Sequence, residues 1–229
     1  MKGMKPFQPD EATDAEVAAE AAAFGPLAQA VRELADAALR STVDAATARE
    51  ATARIQEVTA RLAADQLPGS YGVRYRPDGQ GRPWGNAVIG LRNPIAPPLD
   101  PVREGERSEG RISADFDLGA VYEGPPGLVH GGVVSLILDQ MLGQAAGSGG
   151  RPGMTGTLTI VYRQGTPLGP LRAEAWIDRS EGIKTWAKGH IVGPDGITAE
   201  AEGVFILPRW ARELIEKRGP DAATPAYYE

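Results

Sequence analysis

The longest apolar stretch of the chain runs over residues 133–146 and carries one ionisable residue, Asp139. It shows no polar stripe at the helical period, so it predicts a helix buried on all sides, not one lying on a surface. Gly124-Pro125-Pro126-Gly127 precedes it as a turn, and His130-Gly131-Gly132 marks its start. A second pattern fills residues 12–66, which are rich in Ala and contain no Lys. There Leu27, Val31, Leu34, Ala38, Ser41, Ala45, Ala48, Thr52, Ile55 and Leu62 trace a helical stripe. Pro26 suits the first turn of that helix, and Pro68-Gly69 suits its end. The stripe reads as a packing or dimerisation arm. Acidic side chains, Glu33, Asp36, Asp44, Glu50 and Glu57 among them, outnumber the arginines over residues 12–66, which speaks against a DNA-reading role.

Residues 70–110 are rich in Pro and Gly, with strand-like pieces at 71–76 and 87–92. From residue 111 the order becomes strand, helix, strands. A strand over 111–118 precedes the apolar helix, and residues 154–163 alternate cleanly after it. Met154, Gly156, Leu158, Ile160 and Tyr162 fall on one face; Thr155, Thr157, Thr159, Val161 and Arg163 fall on the other. Strands over 171–179, 183–192 and 198–207 follow, separated by turns at Gly169-Pro170, Ser180-Glu181-Gly182 and Gly193-Pro194-Asp195-Gly196. Short turns between successive strands predict an antiparallel meander, and one apolar helix beside it predicts an α+β fold: a sheet wrapped around a central helix. A short amphipathic helix over 210–217 and a frayed tail close the chain. The division is an N-terminal helical extension over 1–69, a domain over 70–208 with its core at about 84–208, and a C-terminal segment over 209–229.

With 229 residues, the chain suits one domain of ordinary size plus this extension. The lack of cysteine excludes disulfides and thiolate zinc sites. His130 and His190 are the only histidines, so a transition-metal site would need carboxylates to complete its shell, and no metal centre is expected. A net charge of -6 speaks against broad nucleic-acid binding. No apolar segment follows the basic N-terminus, and residues 133–146 are too short to span a bilayer. The expected protein is soluble and cytoplasmic.

A carboxylate in so apolar a segment is costly to bury unless it is paired or used. If the helix begins near His130, Asp139 lies nine residues on, roughly 13 Å along the axis and on the opposite side. Either the two ends do unrelated jobs, or a second subunit brings its Asp139 to the Gly131-Gly132 of the first, which requires a two-fold dimer. Free N–H groups at a helix start suit a developing oxyanion, and glycines let a carbonyl approach. A carboxylate near the same carbon acts as general base on water or attacks it directly. Thr155 is a hydroxyl donor for that carboxylate. Gly-x-Ser-x-Gly and cysteine nucleophiles are both absent from the sequence. Plainer roles stand beside these: His130 as a helix cap, Asp139 as a structural acid, Thr155 as a β-branched strand residue and His190 as a strand residue without chemistry.

Taken together, His130-Gly131-Gly132 with Asp139, Gly153-Met154-Thr155 leading into a strand, and the Gly-Pro-Pro-Gly lead-in resemble the hotdog-fold acyl-CoA thioesterases. The chain is most similar to their PaaI-type and thioesterase-superfamily-member-4-like branch. The Leu-Thr-Ile-Val-Tyr-Arg strand with Thr166-Pro167-Leu168, and the Gly-x-Lys-Thr-Trp-x-Lys-Gly hairpin, fit the same likeness, which covers about residues 93–207. It implies hydrolysis of an acyl-CoA thioester at a homodimer interface, with dimers pairing into tetramers as a further expectation. Coenzyme A enters as part of the substrate, with no metal or organic cofactor. The Gly131 N–H would polarise the thioester carbonyl beside His130, Asp139 would be base or nucleophile, and Thr155 would position water or the acid. Gly132, Val133, Met154 and Gly156 would line the substrate, and Arg163, Lys184 and Lys188 are the expected phosphate contacts. Val133, Val134, Ile137, Met141 and Leu142 point to a medium or long acyl chain, or an aryl group. Glu123-Gly124-Pro125-Pro126 stands where many PaaI-type members carry Asn-Pro. The extension is expected on the outer face of the sheet or between dimers. The alternative readings are a non-catalytic acyl-CoA-binding or assembly protein of the same fold, and a hotdog hydratase.

Overall fold

Thr13 and Glu16 open the first helix. The Thr13 hydroxyl accepts from the Glu16 N–H at 3.3 Å, and the Glu16 carboxylate accepts from the Thr13 N–H at 2.8 Å. This capping box satisfies two amides that a helix start leaves free. The computed structural model describes residues 7–75, 81–97, 99–106 and 109–209, with residues 212, 213 and 216. In it α1 spans Asp14–Arg40. Pro26 therefore lies inside the helix and not in its first turn, because the capping box starts the helix well before it. Nor is the stripe one helix. Ser41 caps the end of α1, and the Asp44 carboxylate accepts from the Thr47 N–H at 2.8 Å to start α2, Ala45–Ala63. α2 stops before Pro68-Gly69 and has no buried residue.

Glu20 ties α1 to the rest of the molecule. Its carboxylate accepts from Arg82 at 2.8 Å and from Arg92 at 2.6 Å, while buried Arg82 also pairs with Asp10. The Arg92 guanidinium lies 3.4 Å from the centre of the Phe24 ring. α1 thus packs on the 81–97 segment and the 3-10 turn Ala120–Tyr122, and not on the outer face of the sheet, because its ion-pair partners lie in that segment. Burial works to raise the Glu20 carboxyl, and the hydrogen bonds from Arg82 and Arg92 outweigh it, holding it below its ordinary 4.5. A depressed carboxylate contributes stability that is present above its unfolded pKa and lost as pH falls through the folded one. Glu20→Gln is expected to cost about 2 kcal/mol at neutral pH. That deficit should be smaller at an acidic pH below the folded pKa, where the wild type has lost the same contribution. Denaturant titrations at the two pH values check this, and equal deficits would contradict it.

The 87–92 piece forms turns, not a strand. Asn86 Oδ1 accepts from the Val88 and Ile89 N–H groups at 2.7 and 3.0 Å, and the Gly90 N–H closes on the Asn86 carbonyl at 3.1 Å. A side chain has taken the amides that a strand ladder would use. β1 (Phe7–Pro9) pairs in parallel with β2 (Val73–Tyr75), which pairs antiparallel with β3 (Gly81–Arg82). Arg76, the end of the expected 71–76 strand, lies outside the described residues, as does most of the expected 210–217 helix.

The main sheet contains β4 (Val102–Arg103), β5 (Ile112–Leu118), β6 (Met154–Tyr162), β7 (Gly169–Glu181), β8 (Lys184–Gly193) and β9 (Gly196–Ile206). Its order is β4-β5-β7-β8-β9-β6, antiparallel throughout. The meander therefore holds only for β7 to β9. β6 lies at the far edge against β9, and the chain between β6 and β7 returns beside the Gly-Pro-Pro-Gly turn. There the Val129 N–H donates to the Thr166 carbonyl at 2.8 Å.

One face of this sheet packs on α3, Gly131–Ser148, giving the α+β arrangement of a sheet around a central helix. Val134, Ile137, Leu138, Met141, Leu142 and Ala145 form the helix side of the core. The strands meet them with small residues, among them Ala173, Ala175, Ala187 and Ala199. α3 is not buried on all sides. Gly132 and Leu136 are exposed, Leu136 to 40%, and Asp139 is half-buried, so one face stays open alongside edge strand β6. Among the described residues no helix is long and apolar enough to cross a membrane.

Candidate functional site

The start of α3 is held from both sides. The Gly132 N–H donates to His130 Nδ1 at 3.0 Å, which makes His130 the helix cap. An accepting Nδ1 places the proton of a neutral imidazole on Nε2. The His130 N–H donates to the Tyr122 carbonyl at 2.9 Å. Glu123 closes the preceding turn by accepting from the Gly127 N–H at 2.7 Å. A Cβ at Gly124 would stand 2.7 Å from His130 Cα, so only glycine lets the turn lie this close to the cap. Gly131 is the first residue of the helix, where an N–H has no acceptor within the helix and faces the positive end of the dipole.

β6 runs antiparallel to α3, which brings each end of the strand to a different part of the helix. At its beginning, Thr155 Oγ1 donates to Asp139 Oδ1 at 2.8 Å. At its end, the Tyr162 hydroxyl donates to the Gly131 carbonyl at 2.8 Å and touches Ser135 Oγ at 2.7 Å. Strict alternation puts Thr155 on the face away from the helix, and the structure corrects that. Thr155 pairs with Phe205 and Thr157 with Val204, leaving Gly156 unpaired in a β-bulge. The extra residue turns Thr155 onto the helix-facing side with Leu158, Ile160 and Tyr162. Tyr162 and Ser135 escape sequence reasoning, although both carried a signal. Tyr162 shares the inward register of Leu158 and Ile160, and Ser135 stands four residues after Gly131. Asn86 also escapes it: its Nδ2 donates to Gln140 Oε1 at 3.2 Å, next to Asp139.

The other expected residues scatter. Val133 is half-buried against the core, Met154 is 68% exposed on the outer side of β6, and Gly156 forms the bulge. Lys188 Nζ lies 2.8 Å from Asp178, Arg163 pairs with Glu200, and Lys184 stands opposite Glu181. These three cations sit on the sheet face away from α3. On that face too, His190 Nε2 lies 3.3 Å from Glu174 and its ring stands edge-on to Trp176. A hydrogen bond from Arg172 holds the Glu174 carboxyl below its ordinary value. The structure therefore joins Asp139 with Thr155, and Gly131 with His130, Ser135 and Tyr162. It keeps the two groups at different heights along one open helix face. An unpaired N–H can stabilise an oxyanion and an oriented carboxylate can take a proton or attack, but one small reacting group does not span both within a single chain.

No family model matches the chain. Two curated relatives are each called acyl-coenzyme A thioesterase THEM4. That of Xenopus laevis is 31% identical over 103 residues, and that of Bos taurus is 32% identical over 101. These matches take in 44% and 43% of this chain, which spans less than half the length of each relative, 46% and 41%. A solved structure described as a thioesterase superfamily protein is 30% identical with a TM-score of 0.71, covering 87% of this chain and 93% of that one. Coverage of that extent reaches beyond the sheet and α3 into the helical arm.

Proposed function

This chain belongs to the hotdog-fold thioesterase superfamily, and from that premise we propose that it hydrolyses an acyl-CoA thioester to free acid and CoA at a site shared by two copies of itself. The observation that carries this reading is the Thr155–Asp139 hydrogen bond on the open face of α3, at a different height from the Gly131 N–H. A two-fold axis beside that face lets each copy supply what the other lacks.

In this reading the Gly131 N–H receives the thioester oxygen, and the helix dipole favours the negative charge that grows there. The partner's Asp139 takes a proton from water as the water oxygen bonds to the carbonyl carbon. The tetrahedral species then collapses, the C–S bond breaks, and the CoA sulfur leaves and receives that proton. In the nucleophilic variant the carboxylate oxygen bonds to the carbonyl carbon, the C–S bond breaks and the CoA thiolate leaves. Water then cleaves the mixed anhydride, releasing the acid, restoring the Asp139 carboxylate and supplying the proton that the thiolate takes up. Thr155 serves either route by fixing Asp139 Oδ1, leaving Oδ2 for the reaction. Gly132 and Val133 border the acyl group. The chemistry uses only these groups and water, with CoA as part of the substrate. Arg163, Lys184 and Lys188 take no part, because they lie on the opposite face of the sheet and face carboxylates there.

Thiol release from a panel of acyl-CoAs, short to long and aryl, tests the reading on protein shown by sedimentation to be a dimer. Turnover of at least one member is expected. A folded dimer that binds acyl-CoA and releases no thiol from any of them would contradict it and leave the binding protein in its place.

A further inference from the structure

A groove of about 830 Å³ lies between α1, α2 and the chain that follows α2, built from elements other than α3 and β6. Its volume is that of an ordinary small-ligand pocket. Leu27 and Val31 of α1 and Leu62 of α2 give it apolar walls, with Val31 and Leu62 left 39% and 47% exposed. Arg61, Arg74 and Arg92 line it against one acid, Asp65, in a chain whose net charge is -6.

The three arginines are not alike. Arg92 is engaged by Glu20 and by the Phe24 ring. Among the described residues Arg61 and Arg74 have no carboxylate partner. The Arg74 guanidinium stacks 4.3 Å from the centre of the Tyr71 ring, and its Nε is buried with no hydrogen-bond acceptor among those residues. A guanidinium without a carboxylate partner, lining an open groove, is the side chain best shaped to hold a carboxylate or phosphate. Apolar walls beside such a donor describe a ligand with an anionic head and an alkyl chain.

We propose that this groove binds an amphipathic anion, its carboxylate or phosphate head on Arg74 and Arg61 and its alkyl chain along Leu27, Val31 and Leu62. The site is separate from the one at α3 and stands whether or not the chain hydrolyses thioesters.

Calorimetric titration of the full chain with dodecanoate, dodecyl phosphate and dodecanol tests it. Binding of at least one anion is expected at least tenfold tighter than that of dodecanol, and the tighter anion identifies the head group. Arg61→Gln/Arg74→Gln should lose that binding event while any thiol release is unchanged, which separates it from product bound at α3. Leu62→Asp, on a helix with no buried residue, should weaken both anions without disturbing the fold. Equal affinity for dodecanol, or full binding by the double variant, would overturn the proposal. So would a groove closed by a second copy, seen as an association that Leu62→Asp abolishes while anion binding stays the same.

Discussion

Asp139→Ala is expected to slow acyl-CoA hydrolysis by about a hundredfold or more, the scale of a lost general base or nucleophile. Fold and dimer should survive the change. Asp139 is half-buried on the open face of α3, and its hydrogen bond is to the hydroxyl of Thr155. Removing the carboxylate leaves a hydroxyl that can turn to solvent, so no buried charge is orphaned. Thr155→Val keeps the carboxylate and deletes the group that orients it, and its loss should be smaller, about tenfold, the worth of one hydrogen bond to a charged group. Thiol-release kinetics alongside thermal melts read both. Equal rates for Asp139→Ala and wild type would remove Asp139 from the chemistry.

The largest expected loss of stability comes from one added methyl group. At Gly189 a Cβ would stand 2.5 Å from the Glu174 carbonyl oxygen and 2.8 Å from Leu142 Cδ1. A side chain can yield, but a carbonyl in the β7–β8 ladder cannot move without breaking register. Gly189→Ala is therefore expected to cost about 3 kcal/mol or more, the upper end for overpacked cores. Gly203→Ala meets only side chains, Phe205 Cε2 at 2.7 Å and Leu142 Cδ2 at 3.1 Å, and should cost less. Leu142→Ala should partly relieve both variants through the lost Leu142 contact, and the Gly189 variant should keep the larger residual cost, because its carbonyl clash remains. Denaturant unfolding of the singles and doubles measures this. A cost below about 1 kcal/mol for Gly189→Ala would contradict the packing of α3 on β8.

Much of the architecture could be read from local pattern. The apolar run and its glycines mark α3, and alternation bounded by turns marks β5 and β7 to β9. What escaped is what depends on partners distant in sequence. Nothing in the alternation of residues 154–163 reveals that β6 crosses to β9, nor that Gly156 is unpaired, and that bulge alone decides which face Thr155 occupies. The 87–92 piece has strand-like composition, yet a single side chain, Asn86, takes its amides. The break between α1 and α2 was legible as Asp44 before Ala45, but the uninterrupted stripe overrode it. Helix α3 looked buried from its composition because an apolar run does not show which of its faces the sheet leaves uncovered. In the site, the HisGlyGly start and the lone acid stood out for their rarity. Tyr162 and Ser135 did not, since each is an unremarkable residue until β6 is laid along α3.

Mixed dimers test the shared site most directly. Gly131→Pro removes the N–H at the first helical position, where proline is tolerated, and His130, with φ -59° and ψ 132°, already has the extended backbone that a following proline requires. Alone, Gly131→Pro and Asp139→Ala dimers should both be inactive. A purified dimer carrying one subunit of each retains one intact site, Gly131 from one copy and Asp139 from the other, and should recover about half the wild-type rate. If the mixed dimer is as inactive as its parents, each site is built within a single chain and the account is wrong.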